Sequence, residues 1–358
     1  MGGQKGIASF YRFFSRHLPV TLISTNDNEI PENFHGDFQP ILSKSKWRYV
    51  NLFFLFKLGK LIKAKKATHL ILEHPYLGWL GILAKWFFGV QLVIHSHNIE
   101  SLRFKSTGKW WWRLLYLYEK RMHRRADVNF FITDEDKAYA VEHFRLNPKK
   151  CHTITYGFER KAAPEANERA EAKRKLQQLH HIQQDQQIML FNGTLSYPPN
   201  LQALNMILKE INPRLRKEKY QPYSIIICGK DLPAELNNLR DFEDQGIQYA
   251  GFVPDINLYF LGSDIFLNPV SEGGGIKTKL VEALGFNLTC VSSHSGAIGI
   301  PQEIASNKLL IAPDYDAAQF VELLLQANNN ENVRSSFFDY FYWENIALKA
   351  KNIIISTP

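Results

Sequence analysis

Pro269–Gly285 reads PVSEGGGIKTKLVEALG and directly follows the apolar run Asp264–Asn268. The run predicts a buried strand, Gly273, Gly274 and Gly275 predict a flexible turn, and Ile276–Leu284 has the spacing of a helix. Glycines ahead of a helix leave several backbone N–H groups free to point at one anion, and the helix dipole adds to the attraction. Lys277 and Lys279 in the first turn oppose that dipole unless an anion sits beside them. Glu282, about two turns from the loop, is placed to accept hydrogen bonds from ribose hydroxyls. The stretch therefore predicts a strand–loop–helix unit that grips a phosphate.

On either side of it, short β-rich runs alternate with longer helical stretches. Before residue 160, Val20–Ser24, His69–Leu72, Gln91–Ile94, Val128–Ile132 and Thr153–Thr155 read as strands, with helical stretches near Lys5–Arg16, Tyr49–Lys65, Trp79–Phe88 and Lys109–Arg124. Glu159–Gln187, rich in Glu, Lys, Arg and Gln, reads as a linker and an exposed helix. The alternation then restarts with Ile188–Asn192, Ser224–Cys228, Gln248–Ala250, Ile265–Asn268, Leu288–Ser292 and Leu309–Ile311. This predicts an α/β chain of two facing Rossmann-like domains, each a parallel sheet covered by helices. The expected divisions are 1–160, 161–336 and a C-terminal helical segment 337–358. Ligands in such sheets bind at the carboxyl ends of the strands, so the cleft between the halves is the expected site.

The Gly-Gly-Gly-Ile loop, the lysines and Glu282 resemble the donor-binding signature of retaining GT-B glycosyltransferases of the family-4, group-1 type. In that family two glutamates often stand eight positions apart. Glu282 matches the second, which binds the donor ribose, and Gly274 stands where the first would be, as in a sub-branch with this glycine run. The resemblance implies that the backbone of Gly274, Gly275 and Ile276 replaces that side chain. It also implies that FNGTLSYPPN, Phe191–Asn200, is the first strand and loop of the donor domain, with Gly193 close to phosphate. Gly229 and Lys230 follow the next strand, and Phe252 and Val253 of AGFVP lie where the family's backbone meets the nucleobase. In the front half, VIHSHNIESLR, Val93–Arg103, ends a strand in a polar cluster. His97 resembles the histidine that contacts the donor sugar, Asn98, Glu100 and Arg103 are expected on the acceptor side, with Glu100 either orienting a neighbour or binding the acceptor, and His95 reads as structural. Gly2 and Gly3 resemble the family's first Gly-rich loop, here with no strand before it, so upstream residues are expected. The last helix, around Phe337–Ile354, is expected to return to the first domain.

Other features set limits. Asp134-Glu135-Asp136 and Asp314-Tyr315-Asp316 match the carboxylate pattern of metal-dependent transferases, yet each sits where a helix begins, so they are expected to cap helices, with no metal and no cofactor beyond the nucleotide-sugar donor. The 358-residue chain carries a net charge of +8, divided as +12 over residues 1–160 and −4 over the rest. A basic front half attracts anionic partners. Lys57, Lys60 and Lys63 among Phe53, Phe54 and Phe56, and Trp110–Trp112 before Arg121, Arg124 and Arg125, suit peripheral contact with an anionic membrane, with an ordinary core-facing helix as the competing interpretation. No nucleic-acid motif accompanies the charge. Three scattered cysteines fit neither a disulfide framework nor a zinc site, no run is long enough to span a bilayer, and no signal peptide is visible. The expectation is a cytoplasmic enzyme, free or held peripherally at the inner face of the plasma membrane. The resemblance implies that it would move a sugar to a glycan or lipid-linked acceptor in cell-surface polysaccharide synthesis, with retention of configuration. A nucleotide-sugar epimerase and a non-catalytic nucleotide-sugar-binding partner are the alternatives.

Overall fold

The computed structural model describes residues 2–218, 220–327 and 331–356. They form two compact units, Met1–Gly157 with Phe341–Pro358, and Phe158–Tyr340.

In the first unit, β1 (Thr21–Thr25) and β2 (Asp37–Leu42) pair in parallel as a small sheet. A second parallel sheet has the order β3 (His69–Glu73), β4 (Gln91–Ser96), β5 (Val128–Phe131), β6 (Cys151–Thr153). The strand β2 has no counterpart among the predicted elements. Its sequence DFQPIL lacks alternation and contains Pro40, which lacks the N–H a ladder needs, so pairing with β1 rather than propensity makes it a strand. Side chains alternate across β4. Leu92 and Ile94 enter one apolar cluster with Met122 of the helix Trp112–Arg125 and Ile82 of the helix Gly78–Phe88. His95 points to the other face, where Phe10 of the helix Gly2–Phe14 meets it edge-on at 5.4 Å.

That helix corrects an expectation. Gly2 and Gly3 do not form a loop; they open the helix Gly2–Phe14. Glycine is a poor helix former, so packing supplies the order: Phe10, Tyr11, Phe13 and Phe14 are all buried, and the helix lies against Trp343–Ser356. The C-terminal stretch is two helices, Ser335–Phe341 and Trp343–Ser356, rather than one. Trp343 is buried over Gly157, where any Cβ would meet its indole at 2.2 Å. The final two residues of the 337–358 segment lie outside the described residues.

The second unit is one six-stranded parallel sheet, order β12-β11-β10-β7-β8-β9. Its strands are β7 (Gln187–Asn192), β8 (Tyr223–Cys228), β9 (Ile247–Gly251), β10 (Ile265–Asn268), β11 (Thr289–Ser293) and β12 (Leu309–Ala312). The near-continuous apolar runs of β7, β8 and β10 are those of strands covered on both faces, and their inner residues are fully buried. The chain runs from β7 outward to β9, then returns to lay β10 on the other side of β7, so the direction of winding reverses between β7 and β10. Crevices at such reversals are where open α/β sheets bind ligands. All three cysteines are buried and free. Among the described residues, no helix is long and apolar enough to cross a membrane.

Candidate active site

The carboxyl edge of the second sheet collects nearly every residue expected to touch the donor. The loops after β7, β8 and β9 are stitched together by backbone: Gly193 N–H donates to Cys228 O at 3.0 Å, Leu195 N–H to Lys230 O at 2.9 Å, and Gly229 N–H to Gly251 O at 2.8 Å. Gly229 is required by close approach, because a Cβ there would lie 1.9 Å from Gly193 O. Beside this stitch Lys230 is exposed, and Phe252 and Val253 follow β9 with the Phe252 ring open to solvent. The ring is free to stack on a planar base.

Across the reversal point, the loop after β10 places Gly273 and Gly275 at φ +85° and +71°, a region open to glycine. The expectation for Lys277 is refined here. Lys277 stands at the N-cap of the helix Thr278–Gly285, which begins two residues later than the predicted start, and its ammonium turns back to donate to Gly273 O at 2.7 Å and Gly275 O at 3.1 Å. A trans peptide points its C=O and N–H in opposite directions. Pinning those carbonyls therefore turns the N–H groups of Gly274 and Ile276 away from Lys277, as a pair of anion donors. Lys277 shapes the loop through its side chain.

Lys279, in the first turn, reaches the end of β7 instead. Its ammonium donates to Asn192 O at 2.9 Å and Asn200 Oδ1 at 3.1 Å and lies over the Phe191 ring. Burial, with Lys277 adding repulsion, lowers its pKa to about 7. A cation held among neutral oxygens at the reversal point is stabilised by any anion that arrives there. Glu282, three residues further along the same helix and partly buried, shares the face of Lys279. Asn192 and Asn200, which aim Lys279, are not distinguished by the sequence reading. Asn200 ends the quoted FNGTLSYPPN, and only the fold shows that its amide meets the lysine.

In the first unit the carboxyl edge is built from side chains. Glu73 ends β3 and His95 lies opposite it in β4, so the register alone brings them together. Glu73 Oε2 accepts from His97 Nε2 at 2.5 Å, and Glu73 Oε1 accepts from Tyr11 Oη at 2.7 Å and faces His95 Nδ1 at 3.2 Å. Burial by itself would raise the Glu73 carboxyl, but the His95 and His97 rings and their hydrogen bonds hold it well below its usual range. Burial pushes His97 down to about 4 against the pull of Glu73, so at neutral pH its ring is uncharged. With the proton on the nitrogen facing Glu73, Nδ1 keeps the lone pair and can accept a hydroxyl.

Asn98 follows on the same edge, and Glu100 opens the helix Glu100–Ser106. Glu100 does not face an open acceptor site: it is buried, accepting from Arg103 Nε at 2.7 Å and lying 3.1 Å from His74 Nδ1. Burial opposes its charge, yet His74, Tyr76 and Arg103 hold it at about 2. Its role is to orient Arg103, which also donates to Tyr76 Oη at 3.1 Å. His74 carries φ +70°, ψ 154°, costly for a non-glycine residue and common where function constrains the backbone. Its ring lies 4.7 Å from that of His97, tilted by 37°. Glu73, His74, Tyr76 and Tyr11 were missed. The signal available was position, since Glu73 and His74 follow a strand as His97 does.

Metal chemistry has one candidate set among the described residues. Glu73, His95 and His97 place ligand atoms within 4.8 Å of one another. Here those atoms hydrogen-bond to each other. The two acidic motifs act as helix starts: Thr133 Oγ1 accepts from Asp136 N–H, Asp316 accepts from Gln319 N–H, and Asp314 accepts from Ser295.

Comparison with known proteins agrees across the chain. The profile "Glycosyltransferase Family 4" matches residues 2–160 and "Glycosyl transferases group 1" matches residues 186–330. A chitobiosyldiphosphodolichol beta-mannosyltransferase of Debaryomyces hansenii is 23% identical over 312 residues, 78% of this chain and 65% of that protein, so the chain spans just under two thirds of that relative's length. Among solved structures, a glycosyltransferase from Rickettsia africae superposes with a TM-score of 0.73 at 14% identity, covering 100% of this chain and 96% of that one. Anabaena Alr3699/HepE, in complex with UDP and glucose, gives 0.67 at 14% identity over 99% and 96%. The chain belongs to the GT-B glycosyltransferases of the family-4, group-1 type.

Proposed function

We propose that this protein transfers a hexose from a nucleotide-sugar donor to a glycan or lipid-linked acceptor at a membrane surface, in cell-surface polysaccharide synthesis. The observation that carries the reading is Lys279: a partly buried ammonium of lowered pKa, held on neutral oxygens at the winding reversal, beside a glycine loop whose N–H groups are turned outward. That arrangement suits the diphosphate of a nucleotide. The loop donors and Lys279 stabilise charge as it builds on the leaving phosphate, and preorganised donors of this kind are commonly the largest catalytic contribution. Glu282 takes the ribose hydroxyls, Phe252 and Val253 meet the base, and Gly193, Gly229 and Lys230 line the phosphate side.

On the other unit, neutral His97 accepts a hydroxyl of the transferred sugar, and Asn98 and Arg103 serve the acceptor, with Glu100 holding Arg103 in place. The anomeric configuration is retained and no metal takes part. UDP bound to Anabaena HepE supports a uridine-type donor, and the dolichol diphosphate in the yeast relative's name supports a lipid-linked acceptor. The test is a thermal-shift panel of nucleoside diphosphates and nucleotide sugars, followed by transfer assays with Lys279→Ala and Glu282→Ala. Stabilisation by a nucleotide with transfer impaired in both variants is expected. Undiminished transfer by both overturns the site, and stabilisation without transfer or donor conversion overturns the enzymatic reading.

A further inference from the structure

Large apolar side chains left in solvent concentrate in two segments of the first unit. In the first, the helix Phe53–Lys65 buries Phe54, Leu58 and Ile62 but leaves Phe53 75% and Phe56 69% exposed, and the turn before it leaves Trp47 76% exposed. In the second, Trp110 is 83% exposed just ahead of the helix Trp112–Arg125, which turns Leu114 and Leu117 outward. A helix that packs one apolar stripe and exposes another has a second surface to cover.

The two segments are bracketed into one region. Trp79 Nε1 donates to Tyr49 O at 2.7 Å, Trp79 N–H donates to Tyr118 Oη at 3.3 Å, and Tyr118 Oη donates to Tyr76 O at 2.9 Å. The Tyr49 ring meets Tyr76 edge-on at 5.9 Å. Tyr76 in turn binds Arg103 on the acceptor-side edge. The exposed ridge therefore borders the polar cluster at the ends of β3 and β4.

Charge decides what covers it. Residues 44–66 hold eight Lys or Arg and no Asp or Glu, and residues 103–125 hold eight against the single acid Glu119. Glu119 is buried, accepting from Glu100 N–H and Ser101 N–H, so it does not offset the surface. A second copy of this chain would bring the same positive charge to the contact. An anionic bilayer complements it, and tryptophan and phenylalanine set among lysines are the side chains that settle in the headgroup region.

We propose that the first unit docks on an anionic phospholipid bilayer through this ridge, with Trp47, Phe53, Phe56 and Trp110 entering the headgroup region and the surrounding lysines and arginines on anionic headgroups. The inference rests on the reading of a lipid-linked acceptor and deepens it: docking brings such an acceptor to the Tyr76–Arg103 edge.

The experiment is vesicle co-sedimentation of the full chain, with phosphatidylcholine alone and with phosphatidylcholine containing one quarter phosphatidylglycerol, for the wild type and the triple variant Trp47→Ala, Phe53→Ala, Phe56→Ala. The expected result is binding to the anionic vesicles only, weakened at least about tenfold in the triple variant with its melting temperature unchanged, and quenching of Trp110 fluorescence by brominated lipid in that variant with Trp110→Phe as reference. Absence of binding by the wild type overturns the proposal. So does salt-sensitive binding that the aromatic substitutions leave intact, which would make the contact electrostatic without insertion. A concentration-dependent dimer abolished by the triple variant also overturns it, assigning the face to a second copy. None of these readouts requires donor or turnover, so failure of sugar transfer leaves the docking result standing, and loss of docking leaves the nucleotide-induced thermal shift intact.

Discussion

The carboxyl edges of the two sheets solve the same problem with different materials. In the second unit the groups offered to a ligand are mostly backbone: N–H groups of a glycine loop pinned by Lys277, and strand ends stitched at Gly193, Gly229 and Gly251, with Lys279 as the chief charge. In the first unit they are side chains in a connected network, where Tyr11, His95 and His97 converge on Glu73, and His74 and Arg103 on Glu100. A backbone site is rigid and indifferent to small changes nearby, provided its glycines stay. A side-chain network tunes protonation through the coupling of its members. The first suits a diphosphate, whose shape is constant, and the second suits sugar hydroxyls, whose pattern varies.

The largest effect expected from this contrast is at the charge of the backbone site. Lys279→Met should lower kcat by about 10²–10³-fold in a transfer assay, the range seen when a preorganised donor to developing charge is removed. The same lysine gives a pH signature. Its free pKa is lowered to about 7, so above pH 7 it is mostly neutral, and a bound diphosphate raises the pKa again. Nucleotide binding at pH 8 should therefore take up nearly one proton, measured by calorimetry in buffers of different ionisation enthalpy, and the uptake should vanish in Lys279→Met. Binding without proton uptake by the wild type would locate the diphosphate elsewhere.

Next in size is the stitch. Gly229→Ala places a methyl group against Gly193 O and should cost about 3 kcal/mol in urea unfolding, with nucleotide binding lost. A mild cost with binding intact would show that these strand ends yield more than the geometry implies.

Smaller and graded is the side-chain network. Glu73→Gln should reduce kcat about tenfold by loosening His97, with His97→Ala at least as impaired. His97 titrates at about 4, so activity that needs its neutral ring stays level from neutral pH down to about 5 and falls as pH passes through 4. Glu73 is a cause that raises the His97 pKa, so its neutralisation moves this acid limb lower still. An acid limb shifted upward would separate His97 from the reaction. The smallest expected effect is none: dialysis against EDTA should leave transfer unchanged. Loss of transfer restored by a divalent ion would instead make Glu73, His95 and His97 a metal centre.

What the sequence discloses follows the same division. Glycines before a helix, and lysines where the helix dipole disfavours them, are local anomalies, and local anomalies are visible in one dimension. Thus Gly273–Lys277, Lys279 and the succession of strands along the second unit were readable, with strand limits displaced by at most one residue, while the order of those strands within the sheet was not. The Gly-rich start misled because the same composition serves a loop and a packed helix, and the burial of Phe10 and Phe14 decided for the helix. β2 escaped because its order comes from a neighbour rather than from its own residues.

By itself the sequence determined the α/β alternation, the glycine loop ahead of a helix and the excess of positive charge in the front half, since each is fixed by residues adjacent along the chain. Only the tertiary structure decided that Glu73 holds His97, that Asn200 holds Lys279, that Glu100 is buried behind Arg103, and that Trp47, Phe53, Phe56 and Trp110 are left exposed. The Glu73–His97 and Asn200–Lys279 pairings join residues 24 and 79 positions apart, and strand register and helix packing, which no local pattern encodes, bring their side chains within reach.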